Sequence, residues 1–72
     1  MKTVYITNCY GKCVIFNVTE ISVKDYACTI VFDTMELAEY YARKMYNDCG
    51  ISCFIGDNDV TFDDSGLTIK FH

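Results

Sequence analysis

Apolar and polar residues alternate along most of the chain, and the alternation breaks once. Residues 3–7 place Val4 and Ile6 on one side and Thr3, Tyr5 and Thr7 on the other, the period of a half-buried strand. Residues 13–18, CVIFNV, are β-branched and aromatic and predict a second strand, joined to the first as a hairpin by a turn over 8–12 in which Gly11 takes positive φ. Residues 19–24 alternate weakly and read as an extension of that strand or as a loop. Residues 26–32, YACTIVF, predict a third strand with Cys28, Ile30 and Phe32 on one face.

At 33–50 the period changes to 3.6. Leu37, Ala38, Tyr41, Ala42, Met45 and Cys49 wind onto one face, and Glu36, Glu39, Tyr40, Arg43, Lys44 and Asn47 onto the other. Asp33 is the expected N-cap, with Glu36 reaching back as in a capping box, and Gly50 is the expected left-handed stop. Glu39 and Arg43 stand four apart in the favourable order, a contribution of about 0.2–0.5 kcal/mol. Two alanines on the inner face allow close approach to a sheet.

After the helix, residues 51–55 are almost wholly apolar and predict a short buried strand. Strand, link, helix, link, strand suggests a right-handed crossover that sets 51–55 parallel to 26–32. Residues 56–58 form a tight turn, and 59–63 a strand with Val60 and Phe62 inward and Asp59, Thr61 and Asp63 outward. DDSG at 63–66 is the signature of a three-residue hairpin loop. Residues 67–71 close the chain with Leu67, Ile69 and Phe71 inward. The expected fold is α+β: one domain over residues 1–72, order β-β-β-α-β-β-β, with a mostly antiparallel sheet of five to six strands and the helix packed on one face.

The chain has 72 residues, 51% hydrophobic and 15% aromatic, enough for a small core and too apolar for disorder. A net charge of −4 with six Lys and Arg excludes a broad phosphate-binding footprint, so no direct nucleic-acid partner is expected. No apolar run spans a bilayer, and the opening MKTVYITNCYGKC lacks the apolar stretch and small-residue cleavage site of a signal peptide, so no membrane role is expected and the cytoplasm is the expected location.

The five cysteines include two C-x₃-C pairs, Cys9 with Cys13 and Cys49 with Cys53. Four thiolates are what a structural zinc takes, so zinc held by Cys9, Cys13, Cys49 and Cys53 is the alternative to thiols used as small apolar packing residues. The packing reading is preferred, with no cofactor: Cys49 ends a helix and Cys53 lies in a strand expected to be buried. The only histidine, His72, is terminal and expected to be solvated.

Catalysis finds little to work with. With no internal histidine there is no Cys–His or Ser–His pair, and the four glycines are isolated, so no phosphate loop forms. Asp57, Asp59, Asp63 and Asp64 resemble a calcium loop only until its sixth position, where glycine is required and Phe62 stands. No enzyme is expected. The acids instead suggest a surface. Glu36, Glu39 and Tyr40 on the outer helix face, with Asp57, Asp59, Asp63 and Asp64 around one strand, are the candidate contact residues for a protein partner with a basic surface.

In general character the chain resembles the small acidic inhibitors that phages encode against host defence, the anti-CRISPR proteins above all. The resemblance is carried by short length, the stretch GDNDVTFDDSG, Tyr40 on an acidic helix and the lack of catalytic motifs. It implies stoichiometric binding to a CRISPR or other defence complex in the host cytoplasm, with Asp and Glu standing in for phosphates. A further alternative is a self-associating structural protein, a homodimer paired through an edge strand such as 67–71.

Overall fold

The structure, a computed structural model, describes residues 2–11 and 13–71; of residues 13–15 it describes the backbone. In chain order the elements are β1 (Lys2–Thr7), β2 (Cys13–Val18), β3 (Glu20–Lys24), β4 (Ala27–Val31), α1 (Met35–Cys49), β5 (Phe54–Ile55), β6 (Asp59–Asp63) and β7 (Thr68–Phe71). The class is α+β, as the alternation predicts. The strands, however, form two antiparallel sheets, ordered β2-β1-β7 and β3-β4-β6-β5, in place of one sheet.

The additional strand is β3. Its alternation is weak because only Ile21 faces the core, opposite Ile30 of β4. The chain changes sheets between β2 and β3 at a single residue, Thr19. Its N–H donates to the Val31 carbonyl at 2.9 Å and its hydroxyl to the Asp33 carboxylate at 2.5 Å. Asp33 is therefore occupied, and the neighbouring Thr34 caps α1, accepting from the Leu37 N–H at 3.2 Å. This replaces the expected Asp33 cap and its box with Glu36. At the other end Gly50 has φ 70°, and the Gly50 and Ile51 N–H groups close onto the carbonyls of Tyr46 and Met45. That position favours glycine, because a Cβ there crowds the following carbonyl.

No parallel pair forms. β4 lies between β3 and β6, and β5 pairs antiparallel with β6 at the sheet edge. The expected burial of 51–55 fails with it. Ile51 is buried, but Phe54 is 81% exposed on the outer strand. The turn at 63–66 forms, with the Leu67 N–H donating to the Asp64 carbonyl at 3.0 Å and Gly66 at φ 75°. It is not a hairpin loop, since β7 crosses to the other sheet and pairs with β1. There Leu67 and Ile69 are half-buried and Phe71, expected inward, is largely exposed.

Both sheets contribute to one core: Val4, Ile6, Phe16 and Val18 from the first, Ile21, Cys28, Ile30, Val60 and Phe62 from the second, and Ala38, Ala42 and Met45 from α1. Tyr41 joins the layers. Its ring stacks on Phe16 at 4.9 Å and on Phe32 at 5.2 Å, contacts worth about 0.5–1.5 kcal/mol each beyond their burial. Among the described residues no polar or charged residue is buried. Among them, too, no helix is long and apolar enough to cross a membrane.

Candidate functional site: two acidic poles and a cleft

The pairing of β4 with β6 divides the acids between two ends of the molecule. Val31 stands opposite Asp59 and Ala27 opposite Asp63. Phe32 and Asn58 bind each other twice, Phe32 N–H to Asn58 O at 2.8 Å and Asn58 Nδ2 to Phe32 O at 2.7 Å. Since α1 starts just beyond Phe32, its N-terminal end shares this pole with Asp33, Glu36, Asp57 and Asp59. Its C-terminal end shares the opposite pole with Asp63 and Asp64. Strand β6 separates Asp59 from Asp63 by roughly 13 Å at about 3.3 Å per residue. The seven candidate contact residues thus form no single patch, and Glu39 and Tyr40 lie between the poles on the outer helix face.

Several of the acids are engaged in turns. The Asp59 carboxylate, half-buried, fills the space a Cβ on Gly56 would need, and the Asp59 carbonyl accepts the Gly56 N–H at 3.0 Å. Asp63 is exposed, and its Oδ1 accepts the Ser65 N–H at 2.8 Å. Hydrogen bonds from the Ser65 side chain and backbone hold its carboxyl below the usual carboxylate range. Asp64 is half-buried and donates its N–H to the Tyr26 carbonyl at 3.0 Å. Asp57, Glu36 and Glu39 are exposed, and Tyr40 is 54% exposed with its ring edge-on to Tyr41. Beside Tyr40 a shallow groove passes Arg43, Lys44, Asn47 and Asp48. Among the described residues the ion pair on this helix is Lys44–Asp48 at 3.3 Å, not Glu39–Arg43.

At the C-terminal pole a cleft of about 410 Å³ opens between three segments distant in sequence: residues 8–10 of the β1–β2 turn, 49–52 after α1, and 63 with 65–67 of the β6–β7 turn. Asn8 builds it. Its Nδ2 donates to the Cys49 carbonyl at 3.1 Å, and its Oδ1 accepts the Tyr10 N–H at 3.0 Å. Tyr10 stands on the rim, 86% exposed. Nothing local in the sequence predicts this cleft, because its walls read as two ordinary turns and the junction between the helix and the strand expected after it.

Beside it lies a strained hairpin. Asp25 and Tyr26, the two central residues between β3 and β4, have φ of 52° and 65°, the left-handed region in which a two-residue hairpin normally uses Asn-Gly. The Tyr26 side chain is 78% exposed. A two-residue gap between alternating segments was its available signal, weakened by the absence of glycine.

The described cysteines are divided between the cleft and the core. Cys9 and Cys49 both line the cleft. Cys53 is half-buried, and burial pushes its thiol up to about 11. Cys28 is buried in the core, where desolvation first, and then the charge of Asp64, push it up to about 12. Among the described residues no three His, Cys, Asp or Glu side chains converge as metal ligands, so Cys9, Cys49 and Cys53 do not supply three corners of the zinc site considered above. The Cys13 side chain and His72 lie outside the described residues.

No protein-family model, characterised protein or solved structure matches this chain.

Proposed function

We propose that the chain is a small protein-binding inhibitor that acts by stoichiometric contact with a partner carrying a basic surface. One observation carries the reading. Among the described residues no polar or charged residue is buried, while Tyr10, Tyr26, Tyr40, Tyr46 and Phe54 are left outside the core on an acidic exterior. Exposed aromatics beside carboxylates supply what an interface with a basic protein uses, buried area from the rings and orientation from the charges. Glu36, Glu39, Tyr40 and Asp57 are the freely presented contacts; Asp59, Asp63 and Asp64 are presented by turns. The partner class implied by the chain's general character is a CRISPR or other defence complex, occupied at its nucleic-acid or effector-docking surface.

The test is a titration of purified CRISPR effector complexes with the chain, read by target cleavage and by co-elution. Inhibition should reach a plateau at a fixed molar ratio and weaken at least tenfold in the Glu36→Lys, Glu39→Lys double variant. Complexes that neither co-elute with the chain nor lose activity overturn the defence reading. Full inhibition at far below one chain per complex overturns the stoichiometric mechanism. The homodimer reading keeps one observation in its favour: β7 lies at a sheet edge with Phe71 largely exposed. Sedimentation across concentration decides it.

A further inference from the structure

Among the described residues, the cleft at the C-terminal pole has an acidic side chain in its lining and no basic one. The end of α1 carries the negative end of the helix dipole, yet its last turn contains no basic residue. The cleft that opens there adds the Asp63 carboxylate, and among the described residues no Lys or Arg lines it. Asn8, whose Nδ2 donates to the Cys49 carbonyl, is neutral. The same Asn8 accepts the Tyr10 backbone N–H through its other amide atom, so the backbone that carries the ring and the helix end are tied to one residue. Negative potential, a carboxylate ordered by Ser65 and an exposed ring around a concavity of about 410 Å³ are complementary to a flat cation.

We propose that this cleft receives an arginine side chain of the partner, its guanidinium paired with Asp63 at the C-terminal end of α1 and its plane against Tyr10. The inference rests on the basic-partner reading above and locates where that partner is gripped. Arginine is favoured over lysine because its planar fork matches a carboxylate, stacks on an aromatic ring and sheds water more readily than an ammonium. Ser52 and Ser65 add hydroxyl acceptors to the walls.

The probe is N-acetyl-arginine-N-methylamide, titrated into the isotope-labelled full chain and followed by backbone amide shifts. Citrulline and lysine analogues of the same length serve as controls. Saturable shifts should be confined to residues 8–10, 49–52 and 63–67, should vanish with citrulline, and should need several-fold more of the lysine analogue. Asp63→Asn should weaken the arginine response about tenfold, the loss of one charge-assisted pair, while its spectrum elsewhere stays that of the folded parent. Equal binding of citrulline or lysine, an unchanged response in Asp63→Asn, or shifts shared equally with Glu36 and Asp57 would overturn the proposal. Inhibition of a defence complex with a silent cleft overturns it too and leaves the inhibitor reading standing. A cleft that binds arginine on a chain that inhibits nothing supports it and defeats that reading instead.

Discussion

The two ends of α1 bear side-chain charge of the same sign against opposite ends of the helix dipole. At the N-terminal end Glu36 in the first turn is favourable, worth about 0.3–1 kcal/mol. The polar groups there meet in matched sets: Thr34 with the Leu37 N–H, Thr19 with Asp33, Asn58 with Phe32. At the C-terminal end Asp63 lines the cleft beside the negative end of the dipole. The adjoining hairpin holds Asp25 and Tyr26 at positive φ, and the rings of Tyr10 and Tyr26 are largely in water. One pole is locally consistent and the other accumulates small costs. Such conflicts persist where the surrounding fold over-determines them, and they concentrate at sites that meet a ligand. Under the proposed binding role, the contrast makes the C-terminal pole the end expected to meet the partner, although its residues are no more acidic than those at the other.

The largest expected effects come from removing the closure at each end of the helix. Gly50→Ala places a Cβ at φ 70°, where the space around it is open, so its cost is conformational, about 1–2 kcal/mol. Thr34→Ala removes the cap and should cost about 1 kcal/mol. In a domain of this size each kcal/mol lowers the melting temperature by about 4–8 °C. Calorimetry on both variants ranks the two closures. If Thr34→Ala proved silent, the N-terminal pole would owe its order to the Asp33 and Asn58 contacts alone.

The same two closures show what the sequence makes legible. Gly50 can be read directly, because only glycine suits a left-handed stop and no competitor stands beside it. The N-cap cannot, because Asp33 and Thr34 are both competent and Asp33 is taken up by Thr19, a residue distant in sequence that the fold brings beside it. The strand bounds at Cys13–Val18 and Asp59–Asp63 follow from local composition. The sheet that β7 joins does not, since DDSG encodes a turn but not a partner, and β1 lies more than half the chain away. Phe54 misleads for a related reason. An apolar run looks buried, but burial at a two-residue strand depends on which strand flanks it, and β5 has a neighbour on one side only. Asp57 and Asp63 are legible as exposed acids, whereas Asp59 and Asp64, expected at the surface, are half-buried. Their division between two poles, and the cleft assembled from three distant segments, depend on pairing that no local pattern carries.

A smaller effect of opposite sign is expected at the strained hairpin. Tyr26 in the left-handed region costs about 1–2 kcal/mol, and its mostly exposed ring recovers little by burial. Glycine removes that strain but gains unfolded-state entropy, a penalty of roughly 0.5–1 kcal/mol. Tyr26→Gly should therefore raise stability by up to about 1 kcal/mol, seen as a higher urea midpoint with an unchanged slope. A lower midpoint would mean that the ring contributes to the fold, and the C-terminal pole would lose its character as a place where stability is given up.

The smallest effect is a pH dependence confined to one residue. Ser65 holds the folded-state pKa of Asp63 below its unfolded value near 3.8. The unfolded chain thus binds this proton first as pH falls. The contribution of Asp63 is fully present above the unfolded value and is lost as pH drops through the lower, folded one. Asn at this position cannot titrate, yet its side-chain oxygen can still accept the Ser65 N–H. Asp63→Asn should therefore run parallel to the parent from neutral pH down to about 4, then lose stability less steeply below it. Chemical denaturation at a series of pH values reads the difference between the two curves, in which titration common to the other acids cancels. Parallel curves through the acid limb would mean that Ser65 does not hold the carboxylate in solution. The ordering of Asp63 toward the cleft would then have to come from the cation itself.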